Sequence, residues 1–529
     1  MKNKFYITTP IYYPSAKLHI GHAYCTTLTD TIARYNRLRG RETFFLTGSD
    51  EHGMKIEKNA AAAGKTPQQF VDEIVASFKE LWTALDITND KFIRTTDKEH
   101  VITVQKIFTR FLEQGDIYLG HYEGWYCTPC ESFWTDIQVG PEHVCPDCGR
   151  PVQKAQEEAY FFKTSKYLDR LLKYYDENLK FITPESRKNE MINTFIKPGL
   201  EDLCISRTSF KWGVPVKENP KHVIYVWLDA LVNYISALGY GQDEDGNFKK
   251  FWAEDTEKVH ILGADITRFH AIYWPMFLMA LDLPLPDREF IHGLLMTKDG
   301  KMSKSKGNTI NPYPLIEKYG VDAVRYYLVR EVSFGSDGQF TPEQFVERIN
   351  MDLANNVGNL LNRTLSMINK YYNGVIPTYT KGINNPFDSE LEAQMEETIK
   401  DYDSLFLDLH PTEAIASVMK LTSRANKYID ETTPWALAKQ EDKAPLDACI
   451  SHLARSLYIA GVLLQPVLTR KAGNLLDQLG VSGDKRTFKD ITDENVLNGL
   501  SVHKGDQLFP RLDETIEVPY IVSKMEKKD

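Results

Sequence analysis

A chain of 529 residues is too long for a single hydrophobic core and predicts several domains. No run of 18 apolar residues marks a membrane span, and the opening MKNKFYITTPIYY lacks the apolar stretch and cleavage site of a secretory signal, so the cytoplasm is expected and no membrane partner. A net charge of −10 excludes a protein that coats nucleic acid through a basic surface, but not one that reads a single RNA through local arginines and aromatics.

FYITTPIYY reads as a buried strand running into a loop. The residues from His22 to Arg39 follow a helical period that Gly40 stops, and TFFLTGSD is a second buried strand. Strand, loop, helix and strand in that order predict a parallel, doubly wound sheet. Thr66-Pro67-Gln68-Gln69 starts a helix whose buried face is expected to be Phe70, Ile74, Phe78, Leu81 and Leu85. From about 116 to 220 the cysteines, aromatics and short segments indicate an inserted domain. HVIYVWLDALV and VHILGADI then resume the buried-strand style and are expected to complete the sheet. Beyond about 345 the pattern is helical to near 480, with connections at Asn385-Pro386 and His410-Pro411. Leu353, Val357, Leu360, Leu361, Thr364 and Ile368 fall on one helical face, while Asn359 and Arg363 share another. The charged end KMEKKD is expected to fray.

Four of the seven cysteines form two pairs, Cys127-Thr-Pro-Cys130 and Cys145-Pro-Asp-Cys148, with fourteen residues between the pairs. A two-residue gap lets both thiolates of a pair face one ion, and two pairs complete a tetrahedral zinc site. Four thiolates leave no position for water, so that ion is structural. Cys25, Cys204 and Cys449 stand alone and are expected to be buried as small apolar residues.

KLHIGHA admits three readings: metal ligands, an acid–base pair, or groups that hold phosphate. A zinc-binding histidine pair on a helix sits four apart beside a carboxylate, whereas His19 and His22 are three apart with no acid between them. They straddle a helix start, where backbone N–H groups and the helix dipole favour an anion, and Gly21 permits close approach to the backbone. Far downstream, MTKDGKMSKSKGN sets Lys298, Lys301, Lys304 and Lys306 among Gly and Ser, a cationic loop suited to a triphosphate.

HIGH after the first strand, followed about 280 residues later by KMSKS, resembles the signature pair of class I aminoacyl-tRNA synthetases. PIYYPSAKLHIGHAY, TGSDEHGMKI, NPKHVIYVWLDALVNYISALGY, GADITRFHAIYWP and YIDETTPWALAKQ resemble the methionyl-tRNA synthetases, over about residues 4 to 515. The rival enzymes for isoleucine, leucine and valine carry a much larger editing insertion.

The resemblance implies an α/β fold: a Rossmann-type doubly wound parallel sheet with a zinc-binding inserted domain, followed by an α-helical bundle anticodon-binding domain. The implied parts are the first catalytic half (1–115), the insert with one zinc knuckle (116–220), the second catalytic half (221–290), the KMSKS and stem-contact region (291–345), the helical domain (346–500) and a C-terminal segment packed back on the body (501–529). It further implies a methionine–tRNA ligase acting on L-methionine, ATP with Mg2+, and tRNA(Met) including the initiator. By the same resemblance His19, Gly21, His22, Asp265, Lys301 and Lys304 serve ATP, with Asp265 on a ribose hydroxyl or else a buried structural acid. Asp50 holds the substrate ammonium group, and Ile11, Tyr13, Trp227, Ala230, Tyr234, Ile266 and His270 form the side-chain pocket. Asn359, Arg363 and Trp435 read the anticodon. Some relatives continue into a dimer-forming domain, and a chain ending at 529 is expected to be a monomer.

Overall fold

Lys4–Tyr12 forms the first strand, β1, and Phe5 to Thr9 are buried in unbroken succession, as in a strand covered on both faces. Helix α1 (Ile20–Leu38) follows and ends at Gly40, whose φ of +84° is left-handed, and strand β2 (Glu42–Ser49) comes next. The computed structural model describes residues 2–128, 132–134, 136–146, 148–298, 300–302, 309–332, 335–381 and 385–525.

Strands β3 (Lys91–Arg94), β4 (Ile182–Thr183), β5 (Thr256–Gly263) and β6 (Arg288–His292) complete a six-stranded sheet in the order β3-β2-β1-β5-β6-β4. β1 runs parallel to β5, with Thr8 opposite His260, and β2–β3, β5–β6 and β6–β4 are parallel too. The strand order reverses between β1 and β5, and doubly wound sheets bind ligands in the crevice outside the carboxyl ends of strands at such a point. Ile11 and Tyr13 lie at that end of β1, Asp50 just beyond β2, and Asp265 just beyond β5.

Helix α2 (Pro67–Ala84) begins with a capping box, Gln69 N donating to Thr66 Oγ1 at 3.3 Å and Thr66 N to Gln69 Oε1 at 3.1 Å. Its buried face runs through Val71, Val75, Phe78, Leu81 and Trp82, with Phe70 and Ile74 only half-buried. Phe78, Leu81 and Leu85 are buried as expected, and only in the first two turns does packing favour Val71 and Val75 over the adjacent Phe70 and Ile74. Helix α3 (Lys98–Glu113) follows β3.

HVIYVWLDALV does not join the main sheet. Val223–Ile224 is a two-residue strand between Val214–Pro215 and Ser206–Arg207, and the chain then enters helix α4 (Val226–Leu231) and the single turn α5 (Asn233–Ser236). A wholly buried apolar run carries no period that separates strand from helix. The segment rich in cysteines and aromatics forms its own antiparallel sheet, Ser132–Trp134, Ile117–Cys127, Gln153–Phe162 and Leu203–Cys204 in that order. Cys25, Cys204 and Cys449 are buried and unbridged.

The sheets described so far belong to a compact unit made of Met1–Leu18, Thr43–Trp82 and Asn89–His292, and a second unit, which holds a small three-stranded sheet of Gly300–Lys301, Leu295–Thr297 and Gly338–Gln339, takes His19–Glu42, Thr83–Thr88 and Gly293–Asp529. The second unit is mainly helical, and besides α1 its helices include α6 (Val321–Glu331), α7 (Pro342–Arg348), α8 (Asn359–Tyr372), α9 (Pro386–Leu407), α10 (Pro411–Thr432), α11 (Ala444–Leu464) and α12 (Glu514–Lys524). The apolar face from Leu353 to Ile368 is buried. Asn385 caps α9, its Oδ1 accepting from Phe387 N at 2.9 Å, so the predicted connection at Asn385-Pro386 is a helix start.

Helix α11 is long and apolar enough to cross a membrane, and 94% of its most apolar window is buried inside the protein. At the centre of the unit Arg325 is wholly enclosed, donating to Leu85 O at 2.9 Å, Pro466 O at 3.0 Å and Val467 O at 3.2 Å while pairing with Asp30 at 2.8 Å. Burial alone would raise the Asp30 carboxyl, but Arg325 and Arg34 outweigh it and hold it below the usual range. Helix α12 rests on α7; Tyr319 Oη donates to Glu517 at 2.5 Å and the Lys318 ammonium lies 3.8 Å from the Tyr520 ring centre.

Candidate active site

Asp50 is buried, and its backbone N–H donates to Tyr12 O at 3.0 Å, which fastens the loop after β2 to the end of β1 that carries Ile11 and Tyr13. Beside it Glu51 takes two bonds from Arg94, at 2.6 and 2.8 Å, and one from Thr96 at 2.7 Å. A bidentate guanidinium pair of this kind fixes orientation as well as position.

Of the remaining predicted pocket residues, Tyr234 and His270 are in direct ring contact. Tyr234 on α5 donates its hydroxyl to His270 Nε2 at 2.7 Å, and His270 Nδ1–H is given to Ile266 O at 3.0 Å. Burial lowers the His270 imidazole to about 4, so the ring is neutral near pH 7 and accepts from the phenol. Trp227 on α4 lies face to face with Phe269, centroids 3.5 Å apart and planes 4° apart. Ala230 is buried on α4, and Ile266 is half-buried. The rings of Trp227, Phe269, Tyr234 and His270 themselves carry no charge. Phe269 was not among the predicted lining residues; its place in GADITRFHAIYWP beside His270 was the available signal. Asp265 is exposed, which removes the alternative of a buried structural acid.

In the second unit His19 is the N-cap of α1. Its Nδ1 accepts from Gly21 N at 3.1 Å, and His22 Nδ1 accepts from His19 N at 3.2 Å, a capping box built from two imidazoles. An Nδ1 that accepts leaves the proton of a neutral ring on Nε2, so each imidazole is set as an Nε2–H donor. The rings are 4.0 Å apart. A Cβ at Gly21 would lie 3.0 Å from His19 Cε1, so its absence makes room for the folded-back ring. Ile20 N donates to Ile310 O at 2.9 Å, joining the start of α1 to the segment just past the lysine loop. Lys301 belongs to a short strand, Gly300–Lys301, paired with Leu295–Thr297. Lys304 and Lys306 lie outside the described residues.

Cys127, Cys145 and Cys148 gather with their sulfurs all within 4.8 Å of one another, and Cys127 and Cys148 are 3.6 Å apart. Cys130 lies outside the described residues. A tetrahedral zinc at about 2.3 Å from each thiolate spaces the sulfurs by about 3.8 Å, so the three present fit such an ion. The turn is tight: Cys145 N donates to Arg150 O and Gly149 N to Cys145 O, both at 2.8 Å, with Gly149 at φ +68°. Trp134, Val139 and Val152 surround the sulfurs. The Arg268 guanidinium lies 4.6 Å from the Trp134 ring centre and 4.5 Å from that of Phe269, so one side chain touches both the cysteine module and the aromatic wall.

On α8 Asn359 is exposed and Arg363 partly so. Residues of α10 face them in two rungs, Asn359 Nδ2 donating to Asn426 at 3.1 Å and Arg363 pairing with Asp430 at 2.6 Å. Trp435 is 48% exposed, unusual for so large an apolar ring.

A family model described as tRNA synthetases class I (M) matches residues 5–157 and 148–365. A methionine–tRNA ligase of Halalkalibacterium halodurans is 55% identical over 98% of this chain and 80% of its own length. The chain belongs to the methionyl-tRNA synthetase family. The methionyl-tRNA synthetase likeness recurs in a second relative: the Bacillus subtilis methionine–tRNA ligase is 54% identical over 99% of this chain and 80% of its own. A Mycobacterium tuberculosis methionyl-tRNA synthetase solved with bound methionyl-adenylate superposes with a TM-score of 0.91 at 40% identity, covering 96% of this chain and all of that one. The Rossmann-type sheet, the cysteine module and the helical region expected of the family are thus present in this chain.

Proposed function

We infer that this chain is a methionine–tRNA ligase: it activates L-methionine with ATP to methionyl-adenylate and pyrophosphate, then transfers the methionyl group to the 3′-terminal ribose of tRNA(Met), initiator and elongator alike. Beyond family membership, one observation carries the reading. The rings of Trp227, Phe269, Tyr234 and neutral His270 carry no charge, and they belong to the same unit as the buried carboxylate Asp50 at the carboxyl end of the sheet. A thioether side chain gains about 0.3–1.5 kcal/mol from each aromatic face it meets, and a carboxylate answers the ammonium group.

In this reading Ile11, Tyr13, Trp227, Ala230, Tyr234, Ile266 and His270 enclose the side chain and Asp50 holds the amine. His19 and His22 donate Nε2–H to phosphate oxygens, Lys301 and Lys304 carry charge to the β- and γ-phosphates, Gly21 shapes the histidine turn and Asp265 takes a ribose hydroxyl. Mg2+ arrives with the nucleotide. The carboxylate of methionine attacks the α-phosphorus in line with departing pyrophosphate, a step governed by positioning and by charge stabilisation. Cys127, Cys130, Cys145 and Cys148 would hold one zinc that orders the insert and takes no part in the reaction. Asn359, Arg363 and Trp435 contact the anticodon. The ranges 1–115, 116–220, 221–290, 291–345, 346–500 and 501–529 are read as the parts named above. All assigned residues lie in one chain, which we read as a monomer working in the cytoplasm.

Methionine-dependent exchange of labelled pyrophosphate into ATP tests the reading. Exchange with methionine and little with leucine or isoleucine is expected; equal stimulation by all three would remove the substrate assignment, and none at all would remove the enzyme.

A further inference from the structure

Four buried side chains outside the assigned pocket are joined in one line of hydrogen bonds. Asp229 is wholly buried on α4. Its carboxylate accepts from His52 Nδ1 at 2.7 Å through one oxygen and from His100 Nε2 at 2.9 Å through the other. His100 Nδ1 in turn meets Ser236 Oγ at 2.7 Å. With Nε2–H of His100 committed to Asp229, its Nδ1 in the neutral ring accepts from the serine hydroxyl.

Each member of this line is anchored beside a different part of the proposed methionine site. His52 follows Asp50 by two residues in the loop after β2. Asp229 stands between Trp227 and Ala230. Ser236 is two residues from Tyr234 on α5, and His100 on α3 supplies the bridge. The loop is braced from its other side, Trp212 Nε1 donating to Glu51 O at 2.6 Å and Gly53 N to Trp212 O at 3.0 Å. His52 packs edge-on against the Trp212 ring, with centroids 5.4 Å apart.

We propose that Asp229 is a positioning residue that sets the length of amino acid accepted, by fixing the loop of Asp50 against the helices of Trp227, Ala230 and Tyr234. The ammonium anchor and the side-chain wall sit on separate segments, so the span between them is a ruler only while those segments keep one register. Asp229 supplies that register because a carboxylate can accept from two histidines at once. An amide in its place offers one acceptor and one donor, and the donor opposes an imidazole N–H. Removing one bond therefore frees the loop from the wall without touching either surface that meets the substrate. Burial would raise the Asp229 carboxyl, yet the two imidazoles hold it below the usual range, so it remains an acceptor.

The inference rests on the methionine reading, and its test separates the two. Pyrophosphate exchange is measured with L-methionine and with L-ethionine, which is one methylene longer, in wild type, Asp229→Asn, His52→Ala and His52→Asn; thermal unfolding of each reports folding. Wild type should favour methionine by roughly 10–200-fold in kcat/KM, the worth of one methylene in a fitted pocket. In Asp229→Asn and His52→Ala the methionine KM should rise about tenfold and the preference should fall at least about threefold, kcat changing less. His52→Asn, whose amide nitrogen reaches the Nδ1 position, should recover part of the preference lost in His52→Ala. Should Asp229→Asn not fold, the two His52 variants carry the test. A folded His52→Ala with unaltered preference, or one in which both substrates fall in equal proportion, overturns the proposal and leaves the methionine reading standing. Wild type without methionine-dependent exchange overturns both.

Discussion

The hydroxyl of Tyr234 and the ring of His270 set the polarity of the aromatic wall between them. A buried imidazole with a value near 4 is neutral in the folded chain, whereas in the unfolded chain it titrates near 6.5. The unfolded state therefore binds the proton first. The contribution of neutral His270 to stability is complete above about pH 6.5 and is lost as pH falls toward 4, by about 3 kcal/mol for a shift of this size. In His270→Phe, urea unfolding between those pH values should show that much less loss than in wild type; equal losses would place the charge on His270 in the folded protein. The histidine turn allows a cleaner separation of roles. Asparagine is a good N-cap and can accept as Nδ1 does, but it lacks the Nε2–H. His19→Asn should leave the melting temperature nearly unchanged and lower exchange kcat by about 10²–10³, the usual cost of one transition-state donor, at unchanged ATP KM. A rise in ATP KM alone would assign that donor to ground-state binding.

Elements fold according to neighbours that a single sequence does not name. β1, β2, β5 and α1 were legible because strand runs and a glycine stop interrupt one another in a pattern that few folds share. The run HVIYVWLDALV was not, since burial on all sides erases the difference between periods of two and 3.6. The cysteine turns were legible for the opposite reason: a two-residue gap between cysteines is a local signal that does not depend on packing, and three of the four sulfurs gather. The His52–Asp229–His100 line left no local trace, because its members are brought together across up to 177 residues. At this scale zinc is the test of the insert. Metal analysis should find one zinc per chain, and Cys145→Ser should lose it. Because Trp134 packs among these sulfurs and under Arg268, the same variant should change the near-ultraviolet circular dichroism. Full zinc content in Cys145→Ser would show that Cys145 is not a ligand.

At the scale of the whole molecule, charge constrains how the RNA is held. A chain of net charge −10 draws little general attraction from phosphates, so affinity must come from a few local contacts. Asn359, Arg363 and Trp435, proposed above as the anticodon contacts, have the chemistry for that: an exposed amide with a donor and an acceptor, a guanidinium, and a half-exposed ring on which a base can stack. Arg363 is held at 2.6 Å by Asp430, so its charge is already partly answered and its value lies in direction more than in attraction. Stacking on an aromatic ring is worth about 1–3 kcal/mol per base and depends little on salt, unlike phosphate contacts. Trp435→Ala should therefore lower kcat/KM for tRNA charging by about 5–150-fold, by a similar factor at low and at moderate salt. Methionine-dependent exchange, which uses no tRNA, should continue in the same variant. Loss of exchange and charging in equal measure would mean that Trp435 supports the fold of the helical unit, and the anticodon assignment would have to move to other residues.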